Sequence, residues 1–226
     1  NITTANSGNH PTGESYVTSG HTVNGVPGIV PDPIPAMPTL NTTFYDQQIA
    51  LAQSAPGGNQ YLSNIDLAGS TIYVHGNVSI SGNITGGGAI VASGSVSIND
   101  STISPNTNII GNGEMSLSGN TNIQSNSILY SPDEISISGT SRISGSVLSN
   151  EISVSGNTTV YGILYSWDET ISLSGSVYVY GSVVNPASSS YSGNFTIEFD
   201  PSYLPSAPPG LAAGGLSLVK GSWKEL

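Results

Sequence analysis

The chain has 226 residues, of which 28 are glycine and none is cysteine, and its 14 acidic residues against three basic ones give a net charge of −11. This balance excludes nucleic acid as a partner, because binding a phosphate backbone requires clustered lysine and arginine. The absence of cysteine excludes a disulfide framework and thiol chemistry, and no apolar run is long enough to span a bilayer.

Residues 1–38 are predicted to form an extended, proline-rich N-terminal arm. Residues 1–25 show no hydrophobic periodicity and are rich in Asn, Ser, Thr and Gly, which is typical of a linker. Because the arm is too polar to form a core, we expect it to pack on a neighbouring molecule rather than on its own coils. Five prolines favour a polyproline-like strut over a strand: Pro27, Pro31, Pro33, Pro35 and Pro38.

Residues 39–60 are predicted to form a capping helix and a loop. The helix is expected over residues 44–54, with Thr42 or Thr43 as its N-cap, and the Ala-Pro-Gly-Gly sequence that follows should end it. This helix directly precedes a series of repeats. We therefore expect it to cover the first coil of the repeats, because an uncapped stack exposes apolar ladders and unpaired strand edges.

A short phrase of alternating apolar residues and serines recurs six times within residues 61–185. Consecutive copies are 17 to 20 residues apart, which is the period of one coil of a solenoid. In a β-strand this alternation directs the apolar side chains to one face and the serines to the other. The second apolar residue of each phrase serves as a marker: Ile80, Ile98, Leu117, Ile137, Val154 and Leu173.

The repeat predicts an all-β fold, a three-sided parallel β-helix (β-solenoid) of about six coils. Four coils carry a further apolar residue six positions after the marker and an aliphatic cluster beyond it, so that each coil has three apolar patches. Stacked coils align these patches into ladders. The coil length varies, unlike the strict hexapeptide repeat of left-handed helices, so we favour the right-handed form. Upstream, Ile65-Asp66-Leu67 lies too close to the next marker and predicts an irregular first coil.

Residues 186–226 are predicted to form a C-terminal strand and capping segment. Apolar and polar residues alternate over residues 195–199, which predicts a strand, and a last strand is expected over residues 216–223. Prolines break the chain between the two strands. This segment should cover the far end or one side of the solenoid.

The C-terminal part of the chain resembles the C-terminal end of PilX-like pilus-assembly proteins. The same family is also similar in its N-terminal part. The features shared there are a proline-rich strut and a helix opening with Phe44-Tyr45-Asp46, followed by a Gly/Ser-rich β-repeat. The resemblance covers about residues 30–226. Its C-terminal motifs are the run from residue 194 to 202, then Leu204-Pro205, Pro208-Pro209-Gly210 and Ser222-Trp223-Lys224-Glu225-Leu226.

This resemblance implies a minor pilin or pilus-associated protein, a class anchored by an N-terminal hydrophobic helix. The sequence does not contain that helix, so membrane contact is expected only through a segment before Asn1. The coil length and aliphatic ladders are also similar to those of bactofilin-type, polymer-forming solenoids. The long segments at both ends depart from that second pattern.

A column of acids is a candidate calcium site. Glu114, Glu134 and Glu151 each lie three residues before a marker and should stack on successive coils. Like charges at the strand spacing repel by about 0.9 kcal/mol in water, and a bound Ca²⁺ would relieve that repulsion. The alternative is a solvated edge whose charges are screened by salt. No other cofactor is expected.

Aromatic residues of two adjacent coils form a candidate strip that would bind a surface glycan or a protein. Tyr161 and Tyr180 occupy equivalent positions and should stack outside the core. The alternative is that the stack only stabilises the sheet. The strip consists of Tyr161, Tyr165, Trp167, Tyr178 and Tyr180.

An enzyme must be considered because polysaccharide lyases and hydrolases share the solenoid shape. Their chemistry needs a paired acid and base, or a basic residue near a bound metal. Arg142 is the only cation within the coils, and the acid pairs Asp133-Glu134 and Asp168-Glu169 precede strands, where polar corners are expected. The sequence therefore predicts a protein that is not an enzyme.

Taken together, these features predict a non-enzymatic, exported β-solenoid that is a structural or adhesive component of a cell-surface filament, associated with type IV pili. The lysine-poor, Ser/Thr/Asn/Gly-rich composition favours an extracellular location at the cell surface. The expected partners are pilus or filament subunits, further copies of the chain, and a surface glycan. The alternatives are a subunit that polymerises into an extracellular fibre and, with less support, a polysaccharide-active enzyme.

Overall fold

The computed structural model divides the chain into two units, one of which is Leu40–Leu211 and contains the solenoid. The other unit comprises Asn1–Thr39 and Ala212–Leu226. The structure describes residues 22–23, 26–27, 38–187 and 189–211.

The described residues of the N-terminal arm form a short antiparallel pair, β1 (Thr22–Val23) with β2 (Val26–Pro27). The sequence predicted a linker over residues 1–25 and a strut rather than a strand from Pro27 to Pro38, so this hairpin was not predicted. The sequence between the two strands is Asn-Gly, the dipeptide that most favours a tight hairpin turn. The rest of the predicted arm, and the strand expected over residues 216–223, lie outside the described residues.

The solenoid unit contains a single 14-stranded sheet whose inter-coil pairings are parallel. It also contains an α-helix and a 3-10 turn. In chain order the elements are α1 (Thr43–Gln53), β3 (Gln60–Asp66), β4 (Thr71–Val74), β5 (Val78–Thr85), β6 (Gly88–Ala92), β7 (Val96–Ile103), β8 (Thr107–Gly111), β9 (Met115–Ser118), β10 (Asn122–Ile137), β11 (Thr140–Val154), β12 (Asn157–Ser166), β13 (Ile171–Leu173), β14 (Ser176–Val184), β15 (Ser190–Tyr191), β16 (Asn194–Glu198) and the 3-10 turn Pro201–Tyr203.

Each coil contributes three segments, and equivalent segments of successive coils pair in parallel, which gives the solenoid three faces. Face A carries the serine-containing phrase, as in residues 152–154. Face B follows the first bend, as in residues 158–160, and face C follows the second bend, as in residues 163–165. The predicted three-sided parallel β-helix is therefore confirmed.

The solenoid has eight coils rather than six, because the marker ladder continues beyond the recognised phrase at both ends. Leu62 pairs with Ile80, and Tyr191 pairs with Leu173. The marker of the first coil is Leu62 rather than Leu67, which lies near the second bend, and its pairing with the second coil shifts register once, between Ser63 and Ile65. The sequence pattern missed these coils because a tyrosine precedes Leu62 and the last marker is itself a tyrosine. The strand predicted over residues 195–199 is β16, which belongs to the eighth coil.

Aliphatic ladders fill the interior of the coils, and the buried hydroxyls at the start of face B are hydrogen-bonded. The markers from Ile98 to Leu173 are no more than 1% exposed. At the start of face B, the buried hydroxyls of Thr121, Ser141 and Thr158 each donate to the carbonyl three residues earlier, at 2.7 to 2.9 Å. These bonds offset the cost of burying a hydroxyl, so the first bend repeats without disturbing the core.

The bend between faces A and B depends on a left-handed backbone conformation in every coil. Glycine adopts this conformation without the steric cost that a Cβ atom imposes. Asparagine and aspartate, the next most tolerant residues, occupy the column in two of the early coils. The column has φ between 46° and 87° and consists of Asn64, Gly82, Asp100, Gly119, Gly139, Gly156, Gly175 and Gly193.

We expect Gly156→Ala to lower the free energy of unfolding by about 1–3 kcal/mol, because alanine would be strained at this φ of +77°. The added Cβ would also lie 2.9 Å from the backbone nitrogen of Gly139 and closer to its carbonyl oxygen. Gly58→Ala is the control, since no atom lies within 4 Å of its added Cβ. Urea unfolding followed by circular dichroism measures both changes. Equal stability of the two variants would contradict the assigned bend.

Helix α1 packs on the outside of face C, not over the first coil, so its predicted capping position is wrong. It contacts three successive strands of that face, β4, β6 and β8. The reason is that the outward side chains of face C are apolar, unlike the serines of face A. Five of them are no more than 1% exposed although they lie outside the aliphatic ladders: Val91, Ile110, Tyr130, Leu148 and Tyr165.

Aromatic stacking fixes the helix on face C. The ring of Tyr45 lies 3.9 Å from that of Tyr130, centroid to centroid, with an interplanar angle of 4°. Burial raises the pKa of both hydroxyls, that of Tyr130 to about 12, and the neighbouring Asp46 contributes to the rise at Tyr130. Helix α1 and face C therefore form a second apolar core outside the coils. No helix in the described part of the chain is long and apolar enough to cross a bilayer.

We expect Tyr45→Phe to leave the free energy of unfolding unchanged or to raise it by about 1 kcal/mol. The Tyr45 hydroxyl is buried and has no hydrogen-bond partner among the described residues, so its removal relieves a desolvation cost. Tyr73→Phe is the matched control at the same interface, because the Tyr73 hydroxyl donates to Gln48 at 2.8 Å. The control should lose about 1 kcal/mol in the same chemical-denaturation experiment. If Tyr45→Phe lost more free energy of unfolding than Tyr73→Phe, the Tyr45 hydroxyl would have a hydrogen-bond partner after all.

The described C-terminal segment returns along one side of the solenoid, which is the second of the two predicted positions. After β16, Asp200 caps the 3-10 turn by accepting a hydrogen bond from the Ser202 backbone at 2.8 Å. The chain then reaches Leu211, which forms an antiparallel bridge with Leu40, the residue three positions before α1. We call residues 199–211 the side latch, because the bridge between Leu211 and Leu40 joins the last residue of this unit to its first.

Candidate functional sites on the surface and at the last coil

The three glutamates of the acidic column occupy successive coils. Glu134 pairs with Glu151 across neighbouring strands, and Glu114 directly precedes Met115, which pairs with Ile135. Burial raises the pKa of Glu151, and the charges of Glu134 and Glu169 raise it further. Among the described residues, no group of three or more His, Cys, Asp or Glu side chains is arranged to hold a metal ion. The calcium site therefore stays a prediction.

The raised pKa of Glu151 has a consequence for stability. A carboxyl whose pKa is higher in the folded state binds its proton more tightly there, so stability is lost as the pH rises from the ordinary glutamate value of about 4.3 through the raised value. We expect Glu151→Gln to melt at a higher temperature than the unmodified chain at pH 7, and this advantage to shrink at pH 4. Asp66→Asn, in the first coil, is the control. An advantage independent of pH would contradict this explanation.

The candidate tyrosine strip is only partly assembled. Tyr161 and Tyr180 stack on face B with centroids 5.2 Å apart, and Tyr178 lies on the same side of the same strand as Tyr180. Tyr165 is buried on face C, and Trp167 stacks at 5.8 Å on Tyr130, beside the helix. Including these last two in one strip was wrong, because the chain turns at Gly162 between faces B and C.

Two residues outside the predicted strip complete the cluster on face B. Tyr203, from the 3-10 turn, lies 4.9 Å from Tyr161 between ring centroids. The Arg142 guanidinium lies 4.2 Å above the Tyr161 ring and donates to the Tyr161 hydroxyl at 3.2 Å. The return of the chain after β16 brings Tyr203 here, and no local sequence signal indicates it.

Beside this cluster, face B bears an open groove of about 300 Å³. Its side chains provide one cation and several amide and hydroxyl groups, so the groove can hydrogen-bond a polar ligand. The lining contains no carboxylate and hence no acid–base pair of the kind that cleaves glycosidic bonds. The lining residues are Asn120, Thr121, Asn122, Thr140, Ser141, Arg142, Asn157 and Thr159.

The last coil exposes large apolar residues whose partners in the preceding coil are buried. Tyr191, Phe195 and Ile197 are 40%, 42% and 40% exposed, and Tyr191 stacks on Phe195 with centroids 4.9 Å apart. Their partners in the seventh coil, among them Leu173 and Val179, are fully buried. We call these three residues and the free edge of β16 the open end. Among the described residues, no strand pairs with that edge.

No protein-family model, no curated protein and no solved structure matches this sequence. Function is therefore inferred from the residues of this chain.

Proposed function

We propose that this chain is a non-enzymatic, exported β-solenoid that serves as a structural or adhesive component of a cell-surface filament. The observation that supports the proposal is the open end. Large apolar side chains in ladder positions, next to a free strand edge, favour the addition of a strand or coil from another subunit. Because these three apolar side chains lie together at a free strand edge, this end is the surface best suited to assembly.

The resemblance to PilX-like proteins is the reason for choosing type IV pili as the filament. The residues that carry this resemblance include β16, which belongs to the open end, and the segment after β16, which forms the side latch. An extracellular location follows from the same proposal, as does contact with pilus subunits. A surface glycan is a further partner, for which the groove beside Arg142 and Tyr161 provides polar groups and an aromatic border.

The alternative function, a subunit that polymerises into its own fibre, is favoured by one specific observation. The two edges of the sheet, β3 and β16, lie at opposite ends of the same stack of coils. Each edge can therefore continue the parallel pairing found inside the solenoid. In that case the filament would need no pilus subunit.

The filament role can be tested in cells of the source organism in which the chain is replaced by variants. We expect immunogold labelling of surface filaments with the unmodified chain and with Thr196→Asp, whose side chain lies on the outer side of β16. Ile197→Asp should be exported but absent from filaments, because it places a charge on the open end. Labelling confined to the cytoplasm, or normal incorporation of Ile197→Asp, would refute the proposal.

A further inference from the structure

The two ends of the solenoid are equivalent in register. An unbroken series of pairings connects Ile65 in the first coil with Ile197 in the last. A second series, the marker ladder, connects Leu62 with Tyr191. A second copy displaced along the stacking direction would therefore place Ile65 over Ile197 and continue both ladders.

Such a contact is head-to-tail. It repeats the coil-on-coil packing of the chain itself, with parallel strands and apolar ladders in line. It would also cover Tyr191, Phe195 and Ile197, which the chain leaves about two-fifths exposed. Because the contact joins different surfaces of the two copies, it can repeat and form a linear assembly.

One column of face B carries charge only at its two ends. The residue that follows the buried position is Asp66 in the first coil and Glu198 in the last, and both are exposed. A stacked copy would bring its Asp66 beside Glu198 at about the strand spacing of 4.8 Å, where like charges repel. The six coils between them have uncharged residues in this column: Thr85, Ser104, Gln124, Ser144, Tyr161 and Tyr180.

We infer that the open end binds a second copy of this chain head to tail, and that Asp66 and Glu198 weaken this contact so that it remains reversible. Burial of Tyr191, Phe195 and Ile197 favours the contact, whereas the two facing carboxylates oppose it. Charges at a strand edge are a known means of limiting edge-to-edge association. The inference rests on the proposed filament role and names the partner for it.

Charge reversal on the purified full-length chain tests this pairing. At low ionic strength, Glu198→Lys or Asp66→Lys should each tighten self-association by about tenfold in sedimentation velocity experiments, because repulsion becomes attraction. The double variant Asp66→Lys/Glu198→Lys should return to the weak association of the unmodified chain, because two lysines then face each other. Asp168→Lys, at an exposed acid between β12 and β13, changes the net charge equally and should have no effect.

The inference is wrong if both single variants stay monomeric, or if the double variant associates more tightly than either. It is also wrong if self-association appears only after Leu216→Asp or Leu218→Asp, since the chain's own C-terminal residues would then occupy the open end. If the purified chain self-associates but surface filaments are not labelled, the head-to-tail contact stands and the filament role is refuted. If filaments are labelled but the purified chain does not self-associate, the filament role stands and the head-to-tail contact is refuted.

Discussion

Ile137→Asp should unfold the solenoid. Ile137 is fully buried in the middle of the marker ladder, where it pairs with Leu117 on one side and Val154 on the other. Among the described residues, no cation lies inside the ladders to pair with a carboxylate, so the substitution buries an uncompensated charge. We expect a loss of at least about 4 kcal/mol, which is a large part of the stability of a typical domain. Thermal melting followed by circular dichroism measures it.

Ser136→Asp is the matched control, one residue away on the same strand. Its side chain lies on the outer side of face A, between Ser116 and Ser153. An exposed carboxylate there remains hydrated, so the melting temperature should change by only a few degrees. Equal melting temperatures for the two variants would show that the assigned register is wrong.

Tyr45→Ala should detach helix α1 from face C. Tyr45 is fully buried and stacks on Tyr130, so truncation removes a large aromatic contact and leaves a cavity. Changes of this kind cost about 3–5 kcal/mol in protein cores. We expect a loss of that size in urea unfolding, together with a loss of near-ultraviolet circular dichroism from the tyrosines.

Phe44→Ala provides the control on the same helix. Phe44 is 37% exposed and touches Tyr45 edge-on, with ring centroids 5.3 Å apart. Its removal should cost no more than about 1 kcal/mol. If Phe44→Ala proved as destabilising as Tyr45→Ala, the helix would not be held mainly by the stack on Tyr130.

The coil repeat could be predicted from sequence because each serine phrase encodes one strand with a buried and a solvated face. The first and last coils could not, because their markers have aromatic neighbours or are aromatic. The position of helix α1 does have a signal in the sequence. Face C carries consecutive apolar residues, such as Ile109-Ile110 and Val147-Leu148, and such doublets indicate a strand buried on both sides.

The candidate sites were predicted less well because they depend on where the chain turns. Equivalent positions such as Tyr161 and Tyr180 follow directly from the coil length. Residues beyond the second bend, such as Tyr165, point away from face B because the chain turns at Gly162. Residue spacing does not reveal that turn. Tyr203 reaches face B only because the segment after β16 returns along the side of the solenoid.

The open end exists only if an eighth coil continues the ladder through Tyr191, and an engineered disulfide tests this directly. Ser172 and Ser190 are register partners on the outer side of face A, and the chain has no cysteine of its own. Their Cα atoms should be about 4.8 Å apart, within the range that a disulfide bridges. Ser153 lies one coil further away, beyond that range.

The measurement is the yield of intramolecular disulfide after mild oxidation, read by mass spectrometry. Ser172→Cys/Ser190→Cys should cross-link nearly completely, whereas Ser153→Cys/Ser190→Cys should remain reduced. Failure of the first pair, or efficient closure of the second, would contradict the eighth coil and with it the assembly role assigned to the open end.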